Sequence, residues 1–426
     1  MIVLKKTTIL IFFLLLSHIA IANDSSWLHV KEQNIINSDG TIFRIKGINL
    51  SNNVYGNWDE KKSPDLQNRG KDPLIRPLIQ DKWVLGPDDF DNIRKLNVNT
   101  VRYCFNHELF DQKNPFKKTN LAKLKKDIAI FKSYGIYVIL NLHLPVGLDV
   151  QSIKFEKHFS GDQREKSIFE SSQYWRQTID LWKFLVFEFK DEPAILGFEL
   201  FNEPTIPSNK EGGRKKVMDS YNEIVNTLRK IDFRHIFILP ENDTMEDDTE
   251  FQNIHYRDKQ FIKIEDDNIA YAFHWYEPTS LTIPGVKKKI HGQIINFTAL
   301  YKKYEWSIKN NVPIVVSEFG IASHQSLTIR TAWLKKTLLE FDRIGLGFLY
   351  WTYKQKDSPW NKGHFGLYSH YYEKNEHITS DGDFKDWLKK EPGFSEFKKR
   401  YLQYYQLNEL SPFPRELIDI LAASCE

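Results

Sequence analysis

The strongest constraint on this chain is a rhythm of eight short apolar runs. They fall at residues 45–50, 99–105, 137–143, 195–202, 235–239, 269–275, 314–318 and 347–352, with helical patterns between them. Runs that are apolar throughout suit strands buried on both faces, as in parallel sheets covered by helices. Eight such strands alternating with helices predict an α/β fold, a (β/α)8 TIM barrel. The competing architecture is a doubly wound open sheet, which usually carries a glycine-rich phosphate turn after its first strand. Here Gly47-Ile48-Asn49-Leu50-Ser51-Asn52-Asn53 offers amides instead, which favours the barrel.

The helical patterns have a consistent 3.6-residue period. In 119–134, Leu121, Leu124, Ile128 and Phe131 share a face; in 172–190, Trp175, Ile179, Trp182, Val186 and Phe189 do the same. Further helices are predicted over 212–230, 292–310, 324–344 and 381–405. Gly135 and Gly345 stand at C-cap positions, and Asp88 and Asp89 after Pro87 open the helix before the second strand. Residues 27–45 read as a short N-terminal β-hairpin turning at Ser38-Asp39-Gly40. A length of 426 residues suits one barrel with insertions, over 23–410, followed by a C-terminal tail at 411–426.

In such a barrel, function sits where strands end and βα loops begin. Those ends hold Asn49, Arg102, His143, Asn202 with Glu203, Glu241, His274 with Tyr276, Glu318 and Trp351. Taken singly, a histidine there is more often a hydrogen-bonded structural residue and an arginine a salt-bridge partner. Together the set is polar, titratable and aromatic. Glu203 ends the run Gly197-Phe198-Glu199-Leu200-Phe201-Asn202-Glu203-Pro204, and Glu318 ends Pro313-Ile314-Val315-Val316-Ser317-Glu318-Phe319-Gly320. Two carboxylates at the ends of separate strands can face each other across a sugar, the minimal equipment for cleaving a glycosidic bond. Glu199, in mid-strand, reads as a buried, paired carboxylate near the barrel axis; Glu241 ends the fifth strand and could line a cleft.

The N-terminus reads as a signal peptide over 1–22. Lys5 and Lys6 precede the apolar run 9–16, and Ala20-Ile21-Ala22 is an A-x-A cleavage site. The run is too short for a span of about 20 apolar residues, so the mature chain is expected to be secreted or periplasmic and free of the membrane. Removing Lys5 and Lys6 from 59 basic residues leaves 57 against 56 acidic ones, a formal net charge of +1. That balance offers no basic stripe for nucleic acid. Two cysteines, Cys104 and Cys425, make no disulfide framework, and Cys104 reads as a buried free thiol. Asn242-Asp243-Thr244 and Asn296-Phe297-Thr298 fit glycosylation sequons, which matter in a eukaryotic secretory pathway.

On these residues the chain resembles glycoside hydrolase family 5, the cellulase-type retaining glycosidases, over roughly residues 27–370. Asn202-Glu203-Pro204 is similar to the family's acid/base motif and Glu318-Phe319-Gly320 to its nucleophile motif. Arg102, His143, the His274-Trp275-Tyr276 run and Trp351 match its remaining strand-end residues. The resemblance implies double displacement on an oligo- or polysaccharide by a monomer without metal or cofactor. Glu318 would be the nucleophile, held ionised by Arg102 and oriented by Tyr276, and Glu203 the acid/base with the higher pKa. Asn202 would reach the sugar 2-hydroxyl, His143 and His274 would donate hydrogen bonds, and Trp351 would stack under the sugar.

The long polar insertion between Asn53 and Asp89, with Trp58 and Trp83, departs from the family and leaves the substrate open. β-1,4-glucan comes first, ahead of β-1,3-glucan, mannan and glycolipid glycans; Trp58, Trp83 and Trp360 are candidates for outer subsites. A zinc hydrolase would want a closely spaced ligand pair, and no His-x-His follows the first strand. A sugar-binding pseudoenzyme would be expected to lack a glutamate or Arg102, and all are present.

Overall fold

A computed structural model describes residues 27–51, 85, 87–112, 114, 117–146, 168–206, 212–244, 259–283, 295–356, 365–371, 408–412 and 415–425. The segment 1–22 read as a signal peptide, Trp58, Trp83, Trp360 and the helix expected at 381–405 lie outside them. Two short antiparallel strands come first, β1 (His29–Lys31) and β2 (Asn34–Ile36). Eight strands then close a parallel barrel in chain order: β3 (Lys46–Leu50), β4 (Thr100–Asn106), β5 (Tyr137–Leu144), β6 (Ile195–Glu199), β7 (Ile236–Pro240), β8 (Ile269–Trp275), β9 (Ile314–Phe319) and β10 (Gly347–Tyr350). All eight lie within or beside the runs expected from sequence.

Helices α1 (Pro87–Arg94), α2 (Lys117–Ser133), α3 (Ser172–Phe189), α4 (Gly213–Arg229), α5 (Thr298–Asn310) and α6 (Leu327–Arg343) separate the strands. Their ends follow local chemistry. Ser171 caps α3 by accepting from the Tyr174 N–H at 3.3 Å, and Ser326 caps α6 through Ile329. Gly135 and Gly345, at φ 72° and 74°, take the left-handed turn that ends α2 and α6.

Two expectations change. The hairpin turns tightly at Glu32-Gln33, with Glu32 at φ 55°, and Asp39-Gly40 forms a second turn that brings Ile42 back to Ile36. The segment read as a tail is structured: α7 (Arg415–Cys425) packs on α6 and β3. Leu417 and Leu421 are fully buried there, each worth about 1.5–3 kcal/mol. Short amphipathic segments after a polar stretch read as appendages because their packing partners, here α6 and β3, are remote in sequence.

The core has two layers. Ile139, Leu196, Ile236, Ile238, Ala270, Ala272, Val315 and Leu349 fill the barrel interior, with Leu28 and Ile35 of the hairpin and Ile45 ahead of β3 packed into the same cluster. Val101, Val138, Leu140, Phe237, Tyr271, Val316 and Phe348 face the helices. Side chains alternate along each strand. Arg102 and Cys104 on β4, Asn141 and His143 on β5 and His274 on β8 therefore follow the inward set.

Candidate active site

Glu318 does not follow that alternation. It shares parity with Val316, which faces the helices, so a regular β9 would aim its carboxylate away from the barrel. The register shows the exception. Phe273 of β8 pairs with Val316 but His274 pairs with Glu318, and on the other side Val316 pairs with Phe348 while Phe319 pairs with Tyr350. One extra residue sits in β9 at Ser317, a bulge that turns Glu318 inward. The same device occurs on β6, where Val138 pairs with Ile195 and Ile139 with Gly197, which brings Glu199 opposite inward-facing Ile238.

Arg102 organises the floor of the site from β4. Its guanidinium is fully buried and all five of its N–H donors are used. Nε and Nη2 grip Glu199 at 2.5 and 3.0 Å. Nη2 also reaches Asn202 Oδ1 at 2.9 Å, and Nη1 reaches Glu318 Oε1 at 2.8 Å and Asn49 Oδ1 at 2.8 Å. Asn49 in turn donates to the Ser317 and Leu349 carbonyls, at 2.9 and 3.1 Å, so it ties β3 to the bulge. Asn49, noted from sequence only as a strand-end residue, and Glu199, expected as a buried, paired carboxylate, both belong to the site's machinery.

The second oxygen of Glu318 accepts from the Tyr276 hydroxyl at 3.0 Å and lies 3.5 Å from His274 Nδ1. His274 Nδ1 stands 2.8 Å from Glu203 Oε1, so the imidazole bridges the two glutamates. Glu203 sits just past β6 with φ 44°, a left-handed conformation that costs a non-glycine residue about 1–3 kcal/mol. The strand pairing of Thr205 with Asp243 anchors the chain immediately beyond it. The side chain of Glu203 is 49 % exposed and that of Glu318 only 7 %. The first opens to solvent; the second is set in the wall.

Burial raises the Glu318 carboxyl, and the His274 and Arg102 cations pull it back only in part. The expected Arg102 contact is present and acts in the expected downward direction, but burial outweighs it. For His274 burial opposes the imidazolium, and Glu318 and Glu203 overcome it, so its pKa lies above the ordinary value. Burial and the nearby Arg102 push His143 down to about 3, which keeps it neutral. Its Nδ1 donates to Asn141 Oδ1 at 3.2 Å, and its ring stacks on Trp351 with centroids 5.3 Å apart and planes 12° from parallel.

Trp351 is buried beside Cys104, with Leu144, Tyr276 and Phe365 around them. It follows β10 and joins Thr352 through a cis peptide. Gly320 is required opposite it, because a Cβ there would stand 2.5 Å from the Trp351 carbonyl oxygen. All eight residues expected from sequence thus gather at the C-terminal ends of the strands, with Trp351 as a covered ring rather than an open floor. Cys104 and Cys425 are both free thiols.

Glu203, His274 and Glu318 each offer an atom within 4.8 Å of the others, a spacing that would also admit a cation. Arg102 already compensates Glu318 at 2.8 Å, and a guanidinium there repels a divalent ion. Two carboxylates brought this close at the mouth of the barrel can face each other across a glycosidic bond.

Comparison with known proteins agrees. The family model described as Cellulase (glycosyl hydrolase family 5) matches residues 79–357, more than half of the chain. Endoglucanase C of Acetivibrio thermocellus is 21 % identical over 315 residues, covering 63 % of this chain and 84 % of that protein. Cellodextrinase A of Ruminococcus flavefaciens is 22 % identical over 325 residues, 71 % of this chain and 83 % of that protein. The beta-xylosidase of Phanerodontia chrysosporium is 24 % identical over 318 residues, 69 % and 62 % of the two chains. The barrel resembles that of Cel5A from Thermotoga maritima, solved in complex with mannotriose, with a TM-score of 0.50, 19 % identity and coverage of 80 % and 96 %; this likeness shows the fold alone. The chain belongs to glycosyl hydrolase family 5 and is a cellulase-like glycoside hydrolase.

Proposed function

We propose that the protein is an exported, monomeric retaining β-glycosidase that hydrolyses β-1,4-glucan by double displacement. One observation carries the mechanism: ligand atoms of Glu203, His274 and Glu318 lie within 4.8 Å of one another. That supports the close class of carboxylate pair, about 5–5.5 Å apart, over the inverting class at about 6.5–9.5 Å, which leaves room for a water.

In this reading Glu318 attacks the anomeric carbon while Glu203 protonates the departing oxygen. Arg102 and Tyr276 hold one Glu318 oxygen each, so its attacking lone pair is aimed. Formation of the glycosyl ester removes the negative charge of Glu318. Glu203 then gives up its proton more readily and serves as base toward water. Asn202 has its Oδ1 engaged by Arg102, which leaves the amide Nδ2 for the sugar 2-hydroxyl. His143, neutral and pinned by Asn141, presents Nε2 to substrate beside Trp351.

The choice of β-1,4-glucan draws on the relatives named endoglucanase and cellodextrinase. Export rests on the sequence of residues 1–22. The test is reducing-end release from soluble β-1,4-glucan, β-1,3-glucan, mannan, xylan and a glycosphingolipid, with Glu318→Gln as control. The reading expects fastest release from β-1,4-glucan and none from the variant. Faster cleavage of another polymer would replace the substrate, and activity in Glu318→Gln would overturn the nucleophile.

A further inference from the structure

One ion pair, its carboxylate buried and its ammonium half-buried, touches the site from behind. Glu241 follows Pro240 at the end of β7 and is 4 % exposed. Its Oε1 accepts a hydrogen bond from the backbone N–H of His274 at 3.2 Å, and its Oε2 is paired with Lys303 Nζ on α5. The ammonium of Lys303 also lies over the rings of Phe261 and Phe273, 5.3 and 5.2 Å from their centroids. Phe273 immediately precedes His274. The Glu241 N–H donates to the Ala272 carbonyl at 2.8 Å. Residues 272–274 are thus gripped through backbone, ring and side chain.

They need that grip because the sheet fails there. On one side β7 pairs with β8 as far as Pro240 opposite Ala272 and then ends. On the other side β9 carries its extra residue between the partners of Phe273 and His274. A buried backbone N–H must find an acceptor, and the Glu241 carboxylate replaces the carbonyl that a continued β7 would supply. What depends on it is the 2.8 Å contact from His274 Nδ1 to Glu203, which a displacement of well under 1 Å would break.

We infer that Glu241 and Lys303 are positioning residues that fix His274 between the two glutamates and thereby set the geometry for protonating the leaving oxygen. This rests on the reading of Glu203 as the acid. Neither residue touches substrate; both act through His274.

Two double variants separate positioning from folding. E241Q/K303M removes both charges of the pair and keeps a carbonyl oxygen for the His274 N–H. E241L/K303M removes the charges and the acceptor. Neither leaves a buried charge unpaired, so both are expected to fold. On a cello-oligosaccharide, E241Q/K303M is expected to keep kcat within about threefold of the parent, and E241L/K303M to lose about 10–100-fold in kcat with KM within about twofold. On dinitrophenyl β-cellobioside, whose leaving group needs no proton, E241L/K303M should lose less than about threefold in kcat/KM, which reports bond cleavage before the base-assisted attack of water. Equal kcat in the two double variants, or equal losses on the two substrates, would overturn the inference. The His274 imidazole nitrogen resonances report the Glu203 contact without turnover. They should move in E241L/K303M and hold in E241Q/K303M; unchanged signals in both would also overturn it. An inactive parent enzyme with these resonance changes intact would count against the acid assignment instead.

Discussion

Replacing Arg102 perturbs the whole floor of the site at once. Arg102→Met alone strands two buried carboxylates, Glu199 and Glu318. Breaking one buried pair costs about 3–5 kcal/mol, out of a total stability of about 5–15 kcal/mol, so the single variant mixes unfolding with chemistry. Arg102→Met combined with Glu199→Gln removes one charge of each sign and leaves Glu318 as the reporter. At a centre-to-centre separation of about 4 Å and an effective dielectric of about 20, the lost attraction is about 4 kcal/mol, or about 3 pKa units. The direction is upward. Burial already raises Glu318, and the variant removes one of the two cations that oppose it. Glu318 attacks as the carboxylate, so the acid limb of kcat/KM should move to higher pH by about 2–3 units. The assay is initial rates on dinitrophenyl β-cellobioside from about pH 4 to pH 9, which isolates Glu318 because this leaving group needs no acid. A scanning melt confirms that the variant folds. A folded double variant with its acid limb within about 0.5 unit of the parent would refute the account of Arg102.

Three further outcomes follow from the same geometry. Glu203→Ala should cost about 10²–10⁴-fold on cellulosic substrate and far less on the dinitrophenyl glycoside, as read from kcat/KM on each, which reports bond cleavage before water attack; equal losses would remove Glu203 as the acid. His143 is held near 3 when folded and titrates near 6.5 when unfolded, so the unfolded state binds the extra proton between those values. Stability should fall by about 1.4 kcal/mol per unit as pH drops through that window. Denaturant melts of the parent minus His143→Gln should show that slope, and parallel curves would contradict the burial of the ring. Exhaustive chelation should change the rate by less than about twofold; a large loss restored by a divalent cation would place a metal on Glu203, His274 and Glu318.

Much of this was legible in the sequence because strand alternation and strand ends are local properties. Arg102, His143 and His274 obey the parity of their strands, so their inward aim follows from counting. Glu318 and Glu199 break it, since each depends on one extra residue in a ladder, and a bulge is a relation between two strands. The motif around Glu318 marked its importance without revealing that Ser317 must be passed over to aim it. The rise in the Glu318 pKa is not legible for a related reason: a neighbouring arginine can be guessed from strand ends, but the degree of desolvation needs the packed wall. Lys303 and Glu241 stand 62 residues apart and meet only in the fold. The last helix was missed because Leu417 and Leu421 look ordinary until α6 and β3 lie beneath them.

The central claim is that Glu318 forms a covalent glycosyl intermediate and Glu203 completes the turnover. Proton NMR of the first sugar released from a β-1,4-glucan oligosaccharide tests it most directly, read before mutarotation. Double displacement predicts that the β-anomer appears first and the α-anomer grows in afterwards. An α-anomer released first would mean a single inverting displacement, and the pairing of these two glutamates as nucleophile and acid/base would be wrong.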